Sequence, residues 1–377
     1  MHLQTRSISM SIIKKLSFCS KLTAFGLLFS LLLLNAHTLF AQNSSIENAK
    51  TLFDNGELEA AKKQFKSVLE SQKEHPEATY YLGRIEFEEE DYSDATKWFE
   101  KAVKYKPQSS TYTLWLGRAF GRRAQSASKL RQPFLAKKTK SFFEKAIELD
   151  ADNIDARSDL ISYYLQAPGF LGGSVTKAKE QADEIKKRDP IEGHLAWADI
   201  YKDQKQPLKQ QEEYYGLISD FPDNPTGYYQ LISFFIQQER AEEAIPIAQK
   251  VIEVDTSSTR SLLTHGNVML TTKNYKEALD TYTKVIERDQ SQALAYYQIG
   301  RISAESGMEP ENGIQHLERY LSWKPSPNDN SLAWAHYRIG QIYQHMDRVQ
   351  DAREEYKIAL SKNKKHEGAK KALKALK

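Results

Sequence analysis

One stretch of this chain sets the terms for all the others. Residues 77–107 read EATYYLGRIEFEEEDYSDATKWFEKAVKYKP, and Leu82-Gly83, Tyr92, Ala95, Phe99, Ala102 and Pro107 fall at the spacing of two helices joined by a turn. Small Gly83 and Ala95 stand where two helices must approach closely, and large Tyr92 and Phe99 fill the space between neighbouring units. Pro107 ends the second helix, because proline lacks an N–H and pushes the residue before it out of the helical region. The pattern recurs. Equivalent alanines stand at Ala61, Ala95, Ala178, Ala244, Ala278 and Ala352, and the steps Ala61 to Ala95 and Ala244 to Ala278 are each 34 residues. A weaker copy has Gln210 in the alanine's place but keeps Trp197-Ala198, Tyr201, Tyr214 and Pro222. An irregular copy carries Gly300, Gly307, Leu317 and Pro325, and the last carries Ile339-Gly340, Tyr343, Ala352, Tyr356 and Ala359. Nine units result, starting near residues 42, 76, 110, 154, 191, 225, 259, 293 and 333, with the tail HEGAKKALKALK as a final amphipathic helix.

A hairpin this short cannot bury its own apolar face, so stability has to come from stacking on its neighbours. Apolar residues follow a spacing of three and four, not two, and strands are not expected. The Leu-Gly, Tyr, Ala, Phe, Ala and Pro positions resemble the tetratricopeptide repeat family in pattern and period. That resemblance implies an all-α, right-handed superhelical solenoid of about nine repeats over residues 42–364, with residues 365–377 as a C-terminal capping helix. No composition break divides the array. Two insertions interrupt it, near residues 121–138 and 166–174.

The first 41 residues differ in character. Arg6, Lys14, Lys15 and Lys21 precede the apolar run AFGLLFSLLLL, and a cleavage point follows Ala41. This is the layout of a secretory signal peptide, with Leu39 a less favourable residue near the cleavage point; an uncleaved anchor is the alternative, although the run is short for a membrane span. Export to a periplasmic space is expected, with full secretion also open. Cys19, the only cysteine, precedes the apolar run, so the exported chain carries no thiol chemistry. Of 53 basic and 50 acidic residues the leader holds four basic and no acidic ones, which leaves the remainder near −1. Global basicity therefore gives no argument for nucleic acid.

Charge is nonetheless uneven. Arg118, Arg122, Arg123, Lys129, Arg131, Lys137, Lys138, Lys140 and Lys145 face one acid, Glu144, within the first insertion. One reading is a longer helix with a solvated basic loop; the other is a docking patch for an acidic protein, an anionic glycan or a lipid headgroup. The second insertion, YYLQAPGFLGGSVTKA, places Gly172, Gly173 and Ser174 before a helix start, where backbone N–H groups could meet an anion or simply make a turn.

The family resemblance also implies a concave groove lined by the first helix of each unit. Carried over position by position, the partner-binding residues are Tyr80 and Arg84, Leu114, Arg118 and Arg122, Tyr229 and Ser233, Leu263 and Asn267, Tyr297 and Arg301, and Tyr337 and Gln341. Tyr and Arg are enriched at protein interfaces, though each tyrosine could equally pack between helices. The chaperone-clamping subtype is set aside, because no run of units carries its Lys and Asn pattern. No HExxH, G-x-S-x-G or dinucleotide motif is present, and the acidic run Glu88–Asp91 reads as solvated surface. The expectation is a non-enzymatic scaffold, without cofactor or metal, that binds a protein or peptide segment. Binding of an anionic glycan or lipid through residues 118–178 is the second reading.

Overall fold

The computed structural model describes residues 45–323 and 330–376. The expected signal peptide and Pro325 lie outside the described residues. Among the described residues every regular element is helical, and they group into two compact units, one ending at Asp189 and one beginning at Pro190. The array reads as undivided in the sequence, so this division is a finding. The helix that closes the first unit buries only Ala178, Ala182 and Ile185 and carries no aromatic ring to extend the core.

The first unit holds α1 (residues 45–54), α2 (Leu58–Ser71), α3 (Pro76–Glu88), α4 (Tyr92–Tyr105), α5 (Ser110–Ser126), α6 (Gln132–Leu149), α7 (Ile154–Gln166) and α8 (Val175–Arg188). The second holds α9 (Pro190–Asp203), α10 (Pro207–Asp220), α11 (Pro225–Gln237), α12 (Ile245–Val254), α13 (Thr259–Thr271), α14 (Tyr275–Arg288), α15 (Ala293–Ser306), α16 (Pro310–Ser322), α17 (Asn330–His345), α18 (Val349–Lys362) and α19 (Glu367–Ala375). Successive helices pack as pairs, and α19 packs on α18.

Local chemistry explains the boundaries. Pro76, Pro207, Pro225 and Pro310 open their helices, where the missing N–H costs nothing. Side chains of Asp91, Ser109, Asn153, Ser174 and Ser258 accept hydrogen bonds from the first-turn N–H groups of α4, α5, α7, α8 and α13. The turn inside most pairs carries a left-handed residue. It is Gly56 and Glu90 in the first unit and Lys205, Glu239, Lys273 and Gly307 in the second, each run at steps of 34 residues, with Gly172 and Asp347 in the α7–α8 and α17–α18 turns off that step. Beyond it the chain N–H reaches back to the first helix, as in Gln206 to the Tyr201 carbonyl, Arg240 to Phe235 and Asn274 to Met269, each at 2.8 Å. This six-residue closure satisfies the carbonyls that a helix end leaves open.

The core follows from the repeated small and large positions. Ala61, Ala95, Ala178, Ala244, Ala278 and Ala352 are all fully buried. Gln210 is buried in the same place and donates its amide to the Tyr214 hydroxyl at 3.1 Å. The glycine of each first helix meets the large residue of the second. A Cβ at Gly83 would lie 2.7 Å from the Phe99 ring, at Gly117 2.7 Å from Phe143, at Gly266 2.9 Å from Tyr282, and at Gly340 2.5 Å from Tyr356. Phe99 thus fills its own pair first; the contact with the next pair is its ring tilted against Trp115 at 6.0 Å. The first insertion is taken up in helix length, with α5 at 17 and α6 at 18 residues against 13 and 14 for α3 and α4. The second forms a turn around a short 3-10 segment, Gly169–Leu171.

Candidate functional site

In the first unit, the first helices α1, α3 and α5 bring a cation and aromatic cluster together. Trp115, half-buried on α5, has the Arg84 guanidinium 3.8 Å and the Arg118 guanidinium 4.8 Å from its ring centroid. Phe53 lies 5.2 Å from Arg84, and Phe87 meets Trp115 edge-on at 5.3 Å. Arg84 donates through Nη1 to the Tyr80 hydroxyl at 3.1 Å and lies 3.8 Å from Glu88, while its Nε is buried with no hydrogen-bond partner. Arg122, exposed, donates to the Tyr92 hydroxyl at 2.9 Å and to Gln125 at 3.3 Å. Such stacks hold a guanidinium flat while leaving edge donors for a carboxylate.

Several groove assignments need correction. Leu114 is 2% exposed and belongs to the core; one residue further round the helix, Trp115 takes the surface position. Tyr80 and Tyr229 are 7% and 9% exposed, so both pack inside the helix layers and present no free ring face. Tyr80 stacks on Tyr112 at 4.7 Å. Tyr229 donates to Asp255 at 2.6 Å beneath the Arg260 guanidinium, and burial together with that carboxylate pushes its phenol well up. Arg118 is not free for a partner, because its Nε donates to Asp159 at 2.5 Å. Burial raises the Asp159 carboxyl against the pull of that arginine.

In the second unit Arg301 pairs with Glu305 at 2.9 Å, and Glu305 also takes Arg338 at 3.1 Å. Tyr297 is half-buried against Tyr320, and Tyr337 packs on Tyr356 and His366. Asn267 is exposed and accepts from the Tyr282 hydroxyl at 2.7 Å. The structure therefore brings together Arg84, Arg118 and Arg122 in one cluster, and Tyr297 and Arg301 within another.

In the insertions, Lys129, Arg131 and Lys137 are exposed, while Arg123 and Lys138 lie over the Phe120 ring at 5.5 and 4.7 Å. The glycine loop does not offer its N–H groups to an anion. Gly172 N–H donates to the Gly169 carbonyl at 2.9 Å, Gly173 to Pro168 at 3.2 Å and Ser174 to Tyr164 at 2.9 Å. The Ser174 hydroxyl is also engaged, accepting from Lys177 N–H at 3.3 Å. Among the described residues no group of three or more His, Cys, Asp or Glu side chains is placed to hold a metal ion.

Buried histidines should make stability depend on pH, and His265 gives the clearest case. His265, 4% exposed, lies 3.0 Å from the Thr281 hydroxyl and 3.3 Å from Glu277. Burial lowers its pKa, and Lys284 adds to the lowering, against the opposing pull of Glu277. The unfolded chain therefore takes up the proton first. The contribution of neutral His265 is present above about pH 6.5 and is lost as pH falls below it. Between about pH 7 and pH 5 the urea midpoint of the wild type should fall more than that of His265→Gln. Equal slopes would show that burial of this ring is not what the protein senses.

The model of the tetratricopeptide repeat matches residues 46–110, which cover the pairs α1–α2 and α3–α4. No curated protein matches the chain. Solved structures similar to it include the MamA protein, at 21% identity over 46% of this chain and 92% of that one with a TM-score of 0.41. TTC0263, a thermophilic TPR protein in Thermus thermophilus, aligns at 17% identity over 52% and 99% with a TM-score of 0.43. Human IFIT1, solved as a dimer with m7Gppp-AAAA, aligns at 13% identity over 87% and 78% with a TM-score of 0.42. The matched segment carries the left-handed turn, the buried alanine and the glycine-to-ring contact, and these features recur in later pairs of both units. Residues 46–110 are therefore a tetratricopeptide repeat segment, and the later helix pairs repeat its packing.

Proposed function

We propose that this chain is a non-catalytic scaffold that holds an acidic segment of a partner protein along the first helices of its first unit. Helix-pair repeats of this family serve as protein interaction surfaces in general, and the finer reading rests on one observation. Arg84 lies over the Trp115 ring with an unsatisfied Nε, and exposed Arg122 stands about two turns beyond Trp115 on α5. A carboxylate beside an apolar side chain would match donors and aromatic shelf together. The secretory segment expected at residues 1–41 would put the partner in the envelope or outside the cell.

The test uses Arg84→Gln with Arg122→Glu. Arg118→Glu and Arg301→Glu are poor probes, because each would set a carboxylate against Asp159 or Glu305 and disturb the fold. Wild type and variant would capture partners from envelope and extracellular fractions at low and moderate salt. A protein held by the wild type should bind the variant at least about tenfold more weakly, with unchanged helical circular dichroism, and its retention should fall with salt. Equal retention by both chains would overturn the proposal.

A further inference from the structure

Three of the four most exposed large apolar side chains among the described residues sit in the two insertions: Leu130 at 94%, Phe170 at 79% and Phe134 at 62%. None of them is explained by packing between repeats. Leu130 lies in the turn between α5 and α6, Phe134 in the first turn of α6, and Phe170 in the turn between α7 and α8. Both turns join the two helices of a pair, so the topology sets them side by side on one edge of the unit. The second turn packs on α6, and a Cβ at Gly172 would lie 3.3 Å from Lys140 Nζ. The Tyr163 hydroxyl donates to the Leu171 carbonyl at 2.8 Å and fixes that turn.

Cations surround these apolar tips. Lys129, Arg131 and Lys137 are exposed and form no ion pair among the described residues. Lys138 Nζ stands 5.0 Å from the Phe134 ring centroid. Glu90 and Asp91, which share a cleft with Arg123 and Arg131, mark the acidic limit of the patch. A soluble acidic polymer would use the cations and leave Leu130, Phe134 and Phe170 in water. A lipid surface uses both, because apolar side chains enter the acyl boundary while Lys and Arg stay at the phosphates.

We infer that this turn edge, built from Leu130, Phe134 and Phe170 with Lys129, Arg131 and Lys137, docks the protein on an anionic phospholipid bilayer. The surface is separate from the Arg84 and Trp115 cluster, and its failure would leave the scaffold reading untouched.

The experiment places a polarity-sensitive dye on the full chain at Phe134→Cys or Phe170→Cys, in a Cys19→Ser background that removes the only native thiol. Ser361→Cys, exposed on α18, is the control position. With vesicles of phosphatidylglycerol and phosphatidylcholine, the dyes at 134 and 170 should shift to the blue and be quenched by nitroxide acyl chains, and the dye at 361 should not. Phosphatidylcholine alone should give neither response. In the unlabelled turn edge, Leu130→Ser with Phe134→Ser and Phe170→Ser should weaken the association at least about tenfold. So should Lys129→Gln with Arg131→Gln and Lys137→Gln. Dyes that remain in water while vesicles still capture the chain would overturn the inference. So would tight binding of a soluble sulfated polysaccharide that the serine variant retains in full while the vesicle response is absent.

Discussion

Alanine in place of Phe99 is expected to cost the first unit about 3–5 kcal/mol, the largest stability loss of any single truncation in α4. The ring is fully buried and stands where three helices meet. It presses on α3 so closely that a Cβ at Gly83 would lie 2.7 Å from its Cδ1 and Cε1 atoms. It also tilts against Tyr80 at 5.9 Å and Trp115 at 6.0 Å. Truncation removes the transfer energy of the ring and leaves a void that the helices cannot close without displacing Trp115, on which Arg84 rests. Urea unfolding followed through hydrogen exchange should show the loss first in α3, α4 and α5, since each repeat contacts only its neighbours. A double-mutant cycle sharpens the test. Gly83→Ala should be strongly destabilising alone and less so with Phe99→Leu, which lacks the clashing ring atoms, so the two changes should be non-additive. Additive effects, or a loss under about 1 kcal/mol for Phe99→Ala, would mean that the pair does not pack as described.

The parts of this fold that could be read from sequence are those set by residue volume. An alanine repeating at Ala61 and Ala95 is legible because only a small side chain lets two helices approach, and Gln210 could be placed in the same register through Tyr214 and Pro222 around it. The left-handed turn was largely hidden. Gly56 and Gly307 signal it, but Glu90, Lys205, Glu239 and Lys273 do the same work with side chains that rarely adopt that backbone. The groove was legible only to within one residue. A helix turns about 100° per residue, enough to carry Leu114 into the core and leave Trp115 on the surface. Ion pairing was not legible at all, because Arg118 finds Asp159 from another repeat 41 residues away. That pairing removes a cation from the expected groove and leaves Arg84 and Arg122 as the better donors. Exposure of Leu130, Phe134 and Phe170 was equally hidden, since an apolar residue beside a helix start is ordinarily a packing residue.

Gly173→Ala should cost the first unit about 3 kcal/mol or more, while Gly169→Ala four residues earlier should stay within about 0.5 kcal/mol. The contrast is steric. A Cβ at Gly173 would lie 1.7 Å from the Ala167 carbonyl oxygen and 2.7 Å from its carbon, and backbone atoms cannot swing aside as a side chain can. At Gly169 nothing lies within 4 Å. To relieve the clash the turn must open, losing the Gly173 N–H bond to Pro168 and the Ser174 N–H bond to Tyr164, and with them the Ser174 cap of α8. Urea midpoints of the two variants give the comparison directly, and similar values would show that the turn is not closed in this way. The same pair separates the shape of the turn from the chemistry it displays. Phe170 is intact in both variants, so Gly173→Ala should weaken association with phosphatidylglycerol vesicles and Gly169→Ala should not. The side chain can enter a bilayer beside Phe134 only while the closed turn holds it against α6.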